Sequence, residues 1–309
     1  MFRYTVPLAA VVRAIYPDAP QHTQAHTMTL TPTQRRDAWI NIALFLIIVT
    51  ILSGIFHYAI TQIRPTSLYV GPLMWSPGVA AFLTMKMRGR NISTLPWEWG
   101  KWRYNIGAYL MPVLYIGAAY AAVWALGLGG VPDPEGVAEW ASDLGLENLS
   151  SGWVITIMIA IMATLGCIRA MSTIVGEEIG WRGFFIWELR KVMPFGAVSI
   201  FSGLVWSIWH YPIIIAYGGG DKLIQIVDFT VLITAMSVIL AYFTFKSKSL
   251  WPSVMFHAAH NVYYDKIFNP LTENTGGTGN WTGEYGFMMP IMATLLAVYF
   301  WRKAKAEGL

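Results

Sequence analysis

The sequence contains few charged residues and almost no cysteine. Only 12% of its 309 residues are charged, whereas an ordinary soluble domain has roughly 25%. The single cysteine excludes a disulfide scaffold and any zinc or redox site of the CxxC type. The net charge is only +4 and the basic residues do not form one patch, so we expect no nucleic-acid partner. With 55% hydrophobic residues, this composition excludes a disordered chain and indicates an integral membrane protein.

Long apolar runs predict helices that cross the lipid bilayer. A helix needs about 20 apolar residues to span the hydrocarbon core. Eight runs are candidates: 39–60, 68–86, 105–128, part of 153–189, 195–217, 223–245, 249–267 and 286–301. The fourth run is too long for one straight span, so we expect it to be tilted, broken near Gly166–Arg169, or partly outside the bilayer. We predict an all-α, multi-pass membrane protein with about eight spans, located in the plasma membrane if the source is prokaryotic.

The distribution of lysine and arginine predicts the orientation of these spans. Basic residues collect in 35–36, 86–103, 190–191, 246–248 and 302–305, which fall on one side of an eight-span chain. The intervening segment 129–152 has acidic residues and no basic residue. Only Arg64, Lys222 and Lys266 depart from the pattern. Because cytoplasmic loops are enriched in basic residues, we expect both termini to be cytoplasmic.

The chain divides into one large unit with short ends. We interpret residues 1–37 as a flexible N-terminal extension, 38–302 as a single transmembrane helical domain, and 303–309 as a C-terminal tail. The residues that suggest chemistry all fall within about 150–265.

Ionisable residues inside apolar spans are costly, at about 2.5–3.5 kcal/mol each on insertion scales, and therefore suggest function. Glu178 and Arg182 are four residues apart, so on a helix they can neutralise each other. Glu177 points about 100° away from Glu178 and remains without its own cation, which makes it a candidate general base. The alternative is a structural ion pair at a helix end.

Two further groups lie on separate predicted helices. His210 follows Trp206 by one turn, so the indole can hold the imidazole in place, although a single histidine on an apolar helix is often only a packing residue. His257 and Asn261 share a helix face, where they could also serve only as interhelical hydrogen-bonding groups. Together, an acid, two imidazoles and an amide can activate water and donate hydrogen bonds to an oxyanion.

These residues resemble the signature of the type II CAAX prenyl protease family, also called the CAAX protease and bacteriocin-processing family. Glu177-Glu178-x-x-x-Arg182 matches its EExxxR motif, His210 matches FxxxH with Trp206 in place of the phenylalanine, and His257-x-x-x-Asn261 matches HxxxN. The resemblance covers about 150–265. It implies an eight-helix membrane endopeptidase in which Glu177 activates water with help from His210, and His257 and Asn261 form the oxyanion site. Glu178 and Arg182 would then have supporting roles.

The resemblance also implies the partners of the protein. The expected substrate is a prenylated or hydrophobic protein, cleaved near its C-terminus within the lipid bilayer. No HExxH helix is present, so we expect no metal. We also expect no other cofactor.

Two other hypotheses remain open. Glu177, His210 and His257 could instead ligate zinc. The same cavity could also belong to a non-catalytic binding, immunity or transport protein, in which Asp228 and Arg169 would line a pathway.

Overall fold

The structure is a computed structural model that describes residues 30–309. This part of the chain is 79% helical, has no β-strand and contains nine helices, which confirms the all-α prediction. The helices are α1 (Pro32–Ile63), α2 (Ser67–Met87), α3 (Trp102–Ala125), α4 (Pro134–Leu144), α5 (Ser151–Val192), α6 (Phe195–Tyr217), α7 (Lys222–Ser247), α8 (Trp251–Val262 with a π turn at Tyr263–Phe268) and α9 (Met288–Ala306).

Six of these helices, α1 to α3 and α5 to α7, are long and apolar enough to cross a membrane. The other two predicted spans, 249–267 and 286–301, correspond to α8 and α9. The chain is therefore a multi-pass integral membrane protein, while the number eight and the cytoplasmic termini remain predictions.

Polar side chains mark where several helices begin. Thr31 and Gln34 form a reciprocal capping box at the start of α1, with Pro32 in the first helical position. Asp133 accepts a hydrogen bond from the backbone of Glu135 at the start of α4. At the start of α7, Asp221 accepts two backbone hydrogen bonds. Each cap satisfies amide groups that the first turn of a helix leaves free.

Helix α1 begins before residue 38, where the predicted transmembrane domain starts. Residues 1–29 of the predicted extension lie outside the described residues. Residues 32–37 form the first turns of α1, so the helix begins before the apolar run at which the boundary was drawn.

Helix α5 is 42 residues long and carries the EExxxR motif. It remains helical throughout but contains two π turns, Met162–Gly166 and Ile179–Phe185. The first adjoins the segment in which a break was expected. The second immediately follows Glu178, and π turns are frequent at functional sites.

Glycines bring α5 against α2. A Cβ atom on Gly176 would lie 2.7 Å from Trp75 Cγ, and one on Gly180 would lie 2.4 Å from the Pro77 carbonyl carbon. Conversely, a Cβ atom on Gly78 would lie 2.7 Å from the Gly176 carbonyl oxygen. Both faces therefore need small residues, and this close packing fixes the part of α5 that carries Glu177.

Ion pairs join the helices at one end of the molecule, which we call the basic end. Arg88, just after α2, pairs with Asp37 of α1 at 2.7 Å, and Arg90 pairs with Glu188 of α5 at 2.6 Å. Lys246 of α7 reaches Glu307, just after α9, at 2.7 Å. The basic segments that were separate in the sequence therefore meet at one end of the fold.

Candidate active site

A cavity of about 260 Å³ lies among α1, α2, α5, α6, α7 and α8. Glu177 of α5, His210 of α6, and His257 and Asn261 of α8 all line it. Its remaining wall is largely aliphatic and aromatic, with Phe229 of α7 among its members. The structure thus brings together all four residues for which a catalytic role was predicted.

Glu177 is almost fully buried, with 2% of its surface exposed. Its Oε2 atom accepts a hydrogen bond of 3.1 Å from the indole Nε1 of Trp206. Among the described residues no lysine or arginine forms an ion pair with Glu177, as predicted from its position next to the Glu178–Arg182 pair. A carboxylate in this setting has lone pairs left for a water molecule in the cavity.

His210 is oriented by the backbone of its own helix. Its Nδ1 lies 2.8 Å from the carbonyl oxygen of Trp206. Because a carbonyl can only accept, Nδ1 carries the hydrogen, and Nε2 of the neutral ring is left as an acceptor. Trp206 therefore contacts both candidate catalytic groups, through its indole on Glu177 and through its carbonyl on His210.

Glu178 joins the EExxxR motif to α8. Its Oε1 accepts from Arg182 Nη1 at 3.1 Å, which confirms the predicted pair, and also from His257 Nδ1 at 2.9 Å. Arg182 in turn donates to Ser237 of α7 at 3.2 Å and lies 4.0 Å from the centre of the Trp206 ring. These contacts hold His257 in position and compensate a buried charge, which is costly without a partner.

The bond to Glu178 defines what His257 can donate. With Nδ1–H directed to Glu178, the other ring nitrogen, Nε2, donates only when the ring is an imidazolium. Asn261 lies one turn further along α8 and lines the same cavity. Its amide can donate whatever the pH, so the two groups together can bind a developing oxyanion.

A second polar network on the cavity wall was not predicted. His260 Nε2 donates to Glu284 Oε1 at 3.0 Å, and Tyr264 donates to Glu284 Oε2 at 3.0 Å. The other ring nitrogen of His260 accepts from the hydroxyl of Tyr115. Burial by itself would raise the pKa of Glu284, but the hydrogen bonds from His260 and Tyr264 hold it below its usual value.

The sequence contains little to reveal this network. Glu284 immediately follows the Gly-, Thr- and Asn-rich stretch 272–283, which the sequence predicts to be an external loop. His260 follows His257 by three residues, so it lies on the flank of the His257–Asn261 face. Its partner is 24 residues away, across a segment without helical periodicity.

The zinc hypothesis requires Glu177, His210 and His257 to lie close enough together to bind one metal ion. Among residues 30–309, no three or more His, Cys, Asp or Glu side chains are placed to hold a metal ion. Glu177, His210 and His257 therefore line one cavity without forming a ligand set.

Comparison with known proteins points to the family suggested by the motifs. Residues 149–263, which contain the EExxxR, WxxxH and HxxxN motifs, match the family model described as type II CAAX prenyl endopeptidase Rce1-like. This segment is Rce1-like. The Rce1-like segment runs from just before α5 to the end of α8 and so includes the elements that supply Glu177, His210, His257 and Asn261.

A curated relative agrees with this assignment. CAAX prenyl protease 2 of Methanococcus maripaludis is 28% identical over 106 residues, which is 32% of this chain. The chain spans 38% of the length of that relative. Helices α1 to α4 lie outside the Rce1-like segment.

Proposed function

We propose that the protein is an intramembrane endopeptidase that hydrolyses a peptide bond with a water molecule activated by Glu177 and His210. The observation that carries this proposal is the single cavity lined by Glu177, His210, His257 and Asn261. The Rce1-like match supports it, because the matched region supplies all four residues.

Glu177 and His210 are sufficient to account for the proton transfers of this hydrolysis. His210 Nε2 accepts a hydrogen bond from the water and orients it, while Glu177 takes a proton from it. The water oxygen bonds to the peptide carbonyl carbon, and the carbonyl oxygen becomes an oxyanion. The C–N bond then breaks, the proton held by Glu177 passes to the leaving amine, and the other product is a carboxylic acid.

The oxyanion is stabilised by donors that are already in place. The Asn261 amide and the imidazolium form of His257 donate to it, and the Glu178 carboxylate balances the positive charge of that ring. Removing one such donor from a hydrolase typically reduces kcat by about 10²–10³-fold.

The substrate is a hydrophobic or prenylated peptide segment. The cavity wall is largely apolar, and α5 to α7 present it within the membrane-spanning part of the chain. A peptide that leaves water for this site must itself carry apolar surface, since burial of that surface drives binding.

The test is cleavage by the purified protein in liposomes. Farnesylated and unmodified hydrophobic peptides are incubated with wild type, Glu177→Gln and His210→Ala, and the products are identified by mass spectrometry. We expect each variant to lose about 10²–10⁴-fold in rate, the range for general acid–base catalysis. Glu147→Gln, which removes an exposed carboxylate far along the chain from the cavity, is the matched control and should cleave like wild type.

Two results would contradict the proposal. Cleavage that survives Glu177→Gln would exclude Glu177 as the base. Absence of cleavage with every peptide, together with an unchanged cellular phenotype in the Glu177 and His257 variants, would favour the non-catalytic binding hypothesis.

A further inference from the structure

A second space in the molecule, which we call the lateral groove, runs between α6, α7 and α9 and has a volume of about 580 Å³. Its wall is largely apolar and includes Leu204 of α6, Val231 of α7 and Val298 of α9, all of which are exposed. Helices α6 and α7 are long and apolar enough to cross a membrane. The groove therefore opens on the side of the helical bundle that faces lipid.

Arg302 lies at one end of the lateral groove and is exposed. Its neighbour Lys303 pairs with Glu307 at 3.0 Å, but no acidic side chain among residues 30–309 forms an ion pair with Arg302. A guanidinium binds phosphate through two parallel hydrogen bonds, which makes arginine a preferred residue for phosphate recognition. The end of the groove is thus suited to an anionic group.

The first turn of α6 lies at the same end of the lateral groove. A Cβ atom on Gly196 would lie 2.5 Å from Trp301 Cη2, so the indole next to Arg302 packs directly against the start of α6. No side chain caps this helix, and the free amide groups of a helix N-terminus favour negative charge. A guanidinium and a helix N-terminus therefore both favour an anion at this end.

The length of the lateral groove matches one layer of lipid chains. The groove extends from Thr294 to Arg302 along α9 and from Thr230 to Val238 along α7, which is about 12 Å on each helix at 1.5 Å per residue. The hydrocarbon core of a bilayer is about 30 Å thick, so each leaflet contributes roughly half of that. A chain that begins at Arg302 would remain within one leaflet.

Helix α7 separates the lateral groove from the cavity that contains Glu177. Phe229 and Ile233 of α7 line that cavity, whereas Thr230 and Thr234 line the groove. A Cβ atom on Gly203 of α6 would lie 2.7 Å from Thr234 Cα, so α6 and α7 are in close contact beside the groove. The groove is therefore a separate site, and a prenyl chain on a peptide in the cavity would lie on the other side of α7.

We propose that the lateral groove binds one anionic phospholipid, with its phosphate on Arg302 and one acyl chain along α7 and α9. A phospholipid suits both parts of the site, because its phosphate pairs with the guanidinium and its acyl chain covers the apolar wall. An apolar helix of a second copy of this chain would cover the wall but would bring no anion to Arg302. This inference does not depend on the proposed cleavage.

The anionic part of the site is tested by native mass spectrometry of the full-length protein released from nanodiscs that contain equal amounts of phosphatidylglycerol and phosphatidylcholine. We expect one phosphatidylglycerol to remain bound per chain. Arg302→Gln should weaken this binding roughly tenfold, as the loss of one charge-assisted contact allows. Lys305→Gln is the matched control, because it removes an exposed cation from the same end of α9 that does not line the groove. It should bind the lipid like wild type.

The apolar part of the site is tested by filling the lateral groove. Thr294 is exposed and lines the groove, while the adjacent Leu295 is exposed and does not line it. We expect Thr294→Phe to reduce phosphatidylglycerol binding roughly tenfold and Leu295→Phe to leave it unchanged. Both positions are exposed, so both variants should keep the melting temperature of wild type, which a thermal melt verifies.

Several outcomes would overturn the inference. One is equal retention of the two lipids by wild type, and another is phosphatidylglycerol binding that survives both Arg302→Gln and Thr294→Phe. A dimer mass that Thr294→Phe abolishes would assign the groove to a second copy, and displacement of the lipid by a farnesylated peptide would assign it to a prenyl chain. Because lipid binding is measured without cleavage, failure of this inference is distinguishable from failure of the proposed function.

Discussion

At the scale of single residues, Trp206 is the residue that contacts the candidate base Glu177, the candidate catalytic His210 and the supporting Arg182. Its indole donates to Glu177, its carbonyl accepts from His210, and its ring faces the guanidinium of Arg182. A phenylalanine at this position would retain the ring and the backbone carbonyl but would have no donor for Glu177. The tryptophan therefore gives this chain a means of holding its carboxylate that the FxxxH pattern lacks.

The substitution Trp206→Phe should separate positioning from packing. It removes the hydrogen bond to Glu177 and leaves the His210 contact intact, so we expect kcat to fall about tenfold, equivalent to about 1.4 kcal/mol, with little change in KM. Peptide cleavage at varied substrate concentration measures both constants. A carboxylate that is less well held should also shift the pH profile of kcat, which loss of packing alone would not do.

The control for this prediction is Trp251→Phe. Trp251 also loses an indole hydrogen bond, of 2.7 Å to the carbonyl of Trp97, but it does not line the cavity. It should lower the melting temperature without changing kcat or its pH profile. Equal kinetic effects of the two substitutions would argue against a positioning role for Trp206.

At the scale of elements, the contact between α2 and α5 determines where the EExxxR motif lies. Gly176 and Gly180 let α5 approach Trp75 and Pro77 closely. The motif itself lies at the change from α-helix to a π turn at Ile179–Phe185. Close packing of this kind leaves little room for added atoms, because protein interiors have the density of organic crystals.

Gly180→Ala should therefore be strongly unfavourable. Its new Cβ would lie 2.4 Å from Pro77 backbone and side-chain atoms, and overpacking of this sort costs about 1–3 kcal/mol. We expect a lower melting temperature and reduced cleavage, because α5 must shift with Glu177.

Gly152→Ala provides the comparison within the same helix. Nothing lies within 4 Å of a Cβ atom at Gly152, and alanine is better than glycine in a helix by roughly 0.5–1 kcal/mol. This variant should be as stable as wild type or more stable, measured by the same thermal melt. Equal destabilisation by both alanines would contradict the close-packing explanation.

At the scale of the whole molecule, the two ends have different chemistry. At the basic end, ion pairs join α1 to α2, the segment after α2 to α5, and α7 to the end of α9. The opposite end, where α7 begins, carries a polar pocket of about 510 Å³.

The ion pairs of Glu307 predict a pH dependence of stability. Burial acts to raise the pKa of Glu307, but hydrogen bonds from Lys246 and Lys303 outweigh it and lower the pKa below the ordinary value of 4.5. A lowered pKa in the folded state means that the stabilisation is fully present above the unfolded value and is lost as the pH falls through the folded value. Wild type should therefore melt above Glu307→Gln at pH 7, and the difference should shrink as the pH falls below 4.5.

Thermal melts of both proteins across this pH range check the prediction. Glu147→Gln, which removes an exposed carboxylate that forms no ion pair in the described residues, should have little effect at either pH. A difference for Glu307→Gln that stays constant with pH would show that these ion pairs do not contribute.

The sequence alone determined the features that depend on residues close together in the chain. Apolar runs of sufficient length predict helices, and four-residue spacing predicts the pair between Glu178 and Arg182, because one turn of helix brings such residues together. The contacts that form the cavity instead join residues that are far apart in the chain. Trp206 reaches Glu177 across 29 residues, His257 reaches Glu178 across 79, and Glu284 reaches His260 from a loop without periodicity. Only the packing of α5, α6 and α8 and the path of the α8–α9 loop could decide these contacts, since no local rule relates side chains on separate helices.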